Sequence, residues 1–159
     1  MAINHNPFAI TDFETGGVGQ NRQPLSIGCV VLDPRKLTIV DNGIFYSLIR
    51  PYEDDDCEKY GVDPVSPDAL AKNKLSMDDL RLANPPKKVF DDFASFIKYH
   101  NPKGKKWDAP IFTGWNYLFD WEIMQNLSDG LLRGRYTIKD KLPAKTTIKK
   151  MADKEVEIV

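Results

Sequence analysis

Residues 25–33 read Leu-Ser-Ile-Gly-Cys-Val-Val-Leu-Asp, a nearly continuous apolar run rich in valine and isoleucine. A run this short and this β-branched predicts a central strand buried on both faces. Asp33-Pro34 breaks it. Ahead of it, Phe8-Ala-Ile-Thr-Asp-Phe predicts a first strand ending in carboxylates, and residues 16–24 supply turn chemistry. After it, residues 37–49 predict a third strand, bulged or broken near Asn42-Gly43. Three strands joined by short loops predict an antiparallel meander.

The pattern then changes. Residues 51–65 predict a loop containing the acidic run 53–58, expected to be solvated although it could bind cations. Ser66-Pro67 places a capping hydroxyl before a first-turn proline, Ser76-Met-Asp-Asp resembles a capping box, and Asn84-Pro85 repeats the first device. Val89, Phe90, Phe93, Phe96 and Ile97 form one apolar helical face, stopped by Asn101-Pro102. Residues 110–115 predict a short strand, and residues 118–132 a helix with Asp120 in its first turn. The order βββ-α-β-α fits an α/β domain with a mixed sheet, and 159 residues suffice for one such domain.

The net charge of −1 demands no nucleic-acid partner, but leaves room for a local basic patch. Cys29 and Cys57 give neither a disulfide framework nor a zinc pattern. Cys29 is expected in the core and Cys57 in the acidic loop. With no disulfide framework a reducing cytoplasm is the expected compartment, and a polar N-terminus and the lack of a long apolar stretch lead to the expectation that the protein does not engage membranes.

Chemistry concentrates at the end of the first strand. Asp12 and Glu14 are two apart, so an extended backbone points both to one face and sends Phe13 into the core. Gly16 and Gly17 follow, where a backbone can approach a ligand closely. Asp120 lies just past the strand that ends at Gly114-Trp-Asn116. Carboxylates so arranged can converge at one end of a sheet. Oxygen-only ligands favour Mg²⁺ or Mn²⁺ over zinc, and two such ions can activate water and stabilise the leaving oxygen of a phosphodiester. An isolated Asp-x-Glu is more often a solvated turn. The whole string Ile10-Thr-Asp-Phe-Glu-Thr-Gly-Gly17 is more specific, because it ends an apolar strand and opens a glycine loop.

Asp12-Phe-Glu-Thr-Gly resembles the first motif of the DEDD (DnaQ-like) exonucleases, Asp-x-Glu-Thr. Gly114-Trp-Asn-Tyr-Leu-Phe-Asp120 resembles their second, Asn-x-x-Phe-Asp preceded by glycine. Residues 80–97 resemble the intervening helical segment, so the likeness covers roughly residues 7–132. It implies an RNase H-like α/β fold: an antiparallel meander, then a parallel strand, flanked by helices. Residues 1–132 are then the exonuclease-like core and residues 133–159 a basic C-terminal segment. The resemblance further implies two bound Mg²⁺ or Mn²⁺ ions and removal of nucleotides from 3′ ends of single-stranded DNA or RNA. Asp12 would bind both ions, Glu14 one, and Asp120 the other, partly through water. The Thr15 and Gly16 backbone would lie near the 3′-terminal nucleotide. Asn116 is the second motif's amide, a substrate contact or a helix cap.

The same resemblance asks for a fourth carboxylate preceded by a His or Tyr base. The two histidines, His5 and His100, both precede the second motif. Tyr136 and Asp140 have the literal spacing, but they follow Asp120 without room for the intervening strand and helices, and more often form a surface loop. Asp153 could supply a carboxylate and lacks the base. The expectation is that the sequence stops before the third motif, with low or no activity as written. The alternative is a catalytically impaired exonuclease-fold module that binds nucleic acid or a protein partner. Lys103-Gly-Lys-Lys-Trp107 and the basic residues 133–150 could track a nucleic-acid strand, or be solvated surface. Trp115 could pack in the core or stack on a base.

Overall fold

A computed structural model describes residues 6–104, 108–114, 119, 120, 122 and 123. The predicted first strand is β1, Phe8–Thr15, the apolar run is β2, Pro24–Leu32, and the third is β3, Ile39–Leu48. Both pairs are antiparallel: Asp12 lies opposite Gly28, and Gly28 opposite Tyr46. The short β4, Ile111–Thr113, joins β1 in parallel, giving the order β3-β2-β1-β4. The meander followed by a parallel strand is therefore observed.

The expected bulge also forms. The β2–β3 register shifts between Val30 and Leu32, and Asn42 takes a left-handed φ of 56°. A Cβ at Gly43 would lie 2.7 Å from the Val40 carbonyl oxygen and 2.9 Å from that of Val31, so backbones pack there as only glycine permits.

Among the described residues, four helices lie between the meander and β4. The segment expected as an acidic loop instead contains α1, Asp54–Tyr60. Asp54, Asp55 and Asp56 in its first turn complement the helix dipole, Cys57 turns inward, and Gly61 ends it in the left-handed region. These signals are as local as those at Ser66; the charge run obscured them. In α2, Pro67–Asn73, Ser66 accepts the Ala69 N–H, and in α3, Met77–Leu82, Ser76 accepts the Asp79 N–H. Asn84 does not cap α4, Pro86–Tyr99; the N-cap position is Pro85, without a side-chain bond.

The apolar face of α4 supplies Val89, Phe90, Phe93, Ala94 and Ile97 to the core, against Ala9 and Phe13 of β1, Ile27, Cys29 and Val31 of β2, and Phe112 of β4. Phe13 stacks on Phe90 with ring centroids 6.4 Å apart, and Phe45 packs on Phe93 at 5.4 Å. Only this face of β2 is fully buried. Gly28, Val30 and Leu32 on the other are half-buried, which corrects the expectation of a strand buried on both faces. That second face carries Asp12 and Glu14, with exposed Ile10, Ile44 and Tyr46 beside them. Among the described residues no helix is long and apolar enough to cross a membrane.

Candidate active site

Strand alternation does what the spacing of Asp12 and Glu14 predicts. Both are exposed on the open face while Phe13 is buried between them on the other. Opposite Asp12 the partner is Gly28, which leaves the space beside its carboxylate free of a facing side chain.

Asp120 reaches the same place from the other side. β4 pairs with β1 only as far as Ile10 opposite Thr113. The two backbones stay close one residue further: a Cβ at Gly114 would lie 2.8 Å from the Thr11 carbonyl oxygen. Beyond that point, among the described residues, no strand pairs with this edge of β1, and the Phe13 N–H donates to Asp120 Oδ1 at 3.0 Å. The third carboxylate is thus seated on the backbone between the other two. Residues 119, 120, 122 and 123 are helical, and buried Ile123 anchors this helix in the core.

The electrostatics are unfavourable without a counter-charge. Asp120 is 2% exposed. Burial raises its pKa to about 6, with Asp12 and then Glu14 adding to the rise, while the Phe13 N–H pulls the other way. Glu14 is also raised, by burial and then by Asp12, and Lys72 opposes the shift. Three like charges therefore press on one another around an acid that keeps a costly buried position, an arrangement a cation relieves. The donors are all oxygen, which suits a hard divalent ion. Among the described residues no three His, Cys, Asp or Glu side chains are already gathered tightly enough to enclose an ion. Asp12 and Glu14, being exposed, have the freedom to turn.

A cleft of about 610 Å³ opens beside Glu14, lined by Thr15, Gly17 and Val18 of the glycine loop, Ser66, Asp68, Ala69, Lys72 and Asn73 around α2, and Arg22 and Phe119. Its walls are tied down. The Gly16 N–H donates to the Gln23 carbonyl and its own carbonyl accepts the Ser66 N–H, both at 2.8 Å. Asn73 Nδ2 donates to the Thr15 carbonyl at 3.0 Å. Buried Gln23 donates to the carbonyls of Tyr52 and Asp63 and accepts the Tyr52 N–H. The Arg22 guanidinium lies over the Phe119 ring at 4.3 Å, joining the glycine loop to the Asp120 helix.

Of the residues singled out in the sequence, Asp120 bonds the Phe13 N–H between Asp12 and Glu14, Glu14 and Thr15 line the cleft, and Gly16 is buried behind it. His100 stands apart, on the β3 edge of the sheet, with Nε2 3.0 Å from the Asn42 carbonyl oxygen. Asn116, Trp115, Trp107, Tyr136, Asp140, Asp153 and residues 133–150 lie outside the described residues. Sequence reasoning missed Arg22, Gln23, Lys72, Asn73 and Phe119. No local signal marks them, because their partners are remote in the chain; Asn73 and Thr15 meet across 58 residues.

Neither a family model nor a curated protein matches the sequence. Solved structures do. The nuclease domain of 3′hExo, a DEDDh family member crystallised with rAMP, superposes with a TM-score of 0.62 at 16% identity, over 83% of this chain and 62% of that one. A 3′-exonuclease that recognises a histone mRNA stem-loop gives 0.61 at 17%, over 85% and 56%. Escherichia coli exonuclease I in complex with a dT13 oligonucleotide gives 0.53 at 17%, over 77% and 23%. The chain thus has the fold of the DnaQ-like 3′–5′ exonucleases, an RNase H-like mixed sheet. It spans about a quarter of the length of exonuclease I.

Proposed function

We propose that this chain carries a metal-dependent 3′–5′ exonuclease that hydrolyses phosphodiester bonds of single-stranded DNA or RNA. The observation that carries the reading is the bond from Phe13 N–H to Asp120 Oδ1. It joins the two sequence motifs in space, in a fold shared with an exonuclease solved in complex with a dT13 oligonucleotide and with a 3′-exonuclease that recognises a histone mRNA stem-loop.

Asp12, Glu14 and Asp120 are the residues that would hold the Mg²⁺ or Mn²⁺ ions. Bound there, two ions supply an activated water and a counter-charge for the leaving oxygen. The chain's own contribution is positional. The stack of Phe13 on Phe90 fixes the end of β1. The Phe13 N–H holds one Asp120 oxygen in place. The cleft beside Glu14 offers the terminal nucleotide apolar surface from Val18 and Phe119, and donors from Arg22 and Lys72. Its size falls in the range of small-ligand sites.

The test is incubation of a 5′-labelled single strand with the full chain and Mn²⁺, beside an Asp12→Ala control prepared identically. A ladder shortening from the 3′ end with wild type and not with the variant is expected. Equal degradation by both means contamination, and binding without degradation supports a non-catalytic module of the same fold.

A further inference from the structure

Two cations, Arg22 and Lys72, line the cleft. They are not equivalent. The guanidinium of Arg22 is held in place: its face lies on Phe119 and Nη1 donates to the Gly19 carbonyl at 3.2 Å, while its buried Nε has no partner among the described residues. Lys72 is exposed and forms no ion pair among the described residues, although Asp68 lies one turn earlier on α2 and lines the same cleft. Its backbone is nevertheless fixed. The next residue, Asn73, bonds the Thr15 carbonyl at 3.0 Å, riveting the last turn of α2 to β1 immediately after Glu14. Lys74 closes the helix in the left-handed region with its N–H shared between the Ala71 and Leu70 carbonyls. Lys72 is thereby placed at a cleft that also presents the carboxylates of Glu14 and Asp68 and the apolar side chains of Val18 and Phe119.

We propose that Lys72 is a phosphate-binding residue of this cleft, holding the 5′-phosphate of the nucleotide at the 3′ end opposite the carboxylates of β1. The assignment rests on the exonuclease reading and adds to it the residue that registers the substrate's charge. The competing role is a solvated lysine that merely offsets Glu14 and the helix C-terminus. A lysine in that role has no reason to distinguish a nucleotide from a nucleoside.

The experiment measures inhibition of Mn²⁺-dependent degradation by dTMP and by thymidine, for wild type, Lys72→Ala and Lys72→Arg, in the full chain. Lys72→Ala is expected to raise the oligonucleotide KM and the dTMP inhibition constant about tenfold, as for loss of one charged hydrogen bond. Inhibition by thymidine stays unchanged. The dependence of log kcat/KM on log salt becomes shallower by about 0.7, the value for one single-strand phosphate contact. Lys72→Arg recovers most of each loss, and equal melting temperatures show that all three proteins fold. Equal changes for dTMP and thymidine, or an unaltered salt slope in a variant whose wild type degrades DNA, overturn the Lys72 assignment alone. A wild type that neither degrades the oligonucleotide nor binds dTMP overturns the exonuclease reading and this assignment with it.

Discussion

Asp120→Asn tests whether the buried carboxylate is held against its own electrostatic preference. Asparagine keeps an Oδ1 to accept the Phe13 N–H and removes the charge that Asp12 and Glu14 oppose. The folded protein raises this carboxyl from 3.8 to about 6. At about 1.36 kcal/mol per pH unit, the ionised form costs the metal-free fold about 3 kcal/mol. The raised value means that the folded state holds this proton more tightly than the unfolded chain. The stability conferred is fully present below pH 3.8, is lost as pH rises through about 6, and is absent above it. At pH 7.5 in EDTA, Asp120→Asn should therefore be more stable than wild type by up to about 3 kcal/mol. That corresponds to roughly 6–12 °C in Tm for a chain of this size. The gap should close as pH falls towards 4. Adding Mn²⁺ at pH 7.5 should reverse the order, because ligand bound only to the folded state adds about 4.1 kcal/mol at a thousandfold excess over Kd, and the variant has lost a ligand. The assay is thermal and urea unfolding of both proteins between pH 4 and 8, with and without Mn²⁺. A variant destabilised equally at pH 4.5 and 7.5 would refute the reasoning and make Asp120 an ordinary structural acceptor.

Asp12→Ala should lower Mn²⁺-dependent kcat by about 10³-fold, as several kcal/mol of charge stabilisation is lost, and EDTA should abolish wild-type turnover; single-turnover cleavage of a labelled strand measures both. Phe93→Ala, fully buried against Phe45 and the sheet, should cost about 3–5 kcal/mol by urea unfolding. Gly114→Ala drives a Cβ to 2.8 Å from the Thr11 carbonyl oxygen. Relief requires β4 to shift from β1, so stability should fall by about 1–3 kcal/mol and activity by more than stability alone explains, read by comparing kcat under conditions where both proteins are fully folded. Ser66→Ala removes the cap on the Ala69 N–H and should cost about 1 kcal/mol by the same unfolding assay.

Much of the architecture is legible in local pattern. The alternation of β1, the apolar run of β2 and the helical periodicity of Val89, Phe90, Phe93 and Ile97 each report a face that must be buried, and each face is found buried. Legibility fails where local signals conflict. Residues 54–60 carry a charge run that reads as solvated loop, yet the dipole preference of Asp54–56 and the burial of Cys57 make it α1. The half-open face of β2 could not be read either, since valine and leucine suit a buried or half-buried pleat equally.

For the proposed site, strand period paired Asp12 with Glu14, and the resemblance to the second exonuclease motif singled out Asp120. The sequence could not say that β4 stops pairing at Thr113, nor that the freed Phe13 N–H would receive Asp120 rather than solvent. Nor could it bring Lys72 beside Glu14, Asn73 to Thr15 or Arg22 onto Phe119. Those contacts join segments tens of residues apart. Their partners are set by where the helices land once the core of β1, β2, α4 and β4 has closed, which is a property of packing and not of any window of sequence.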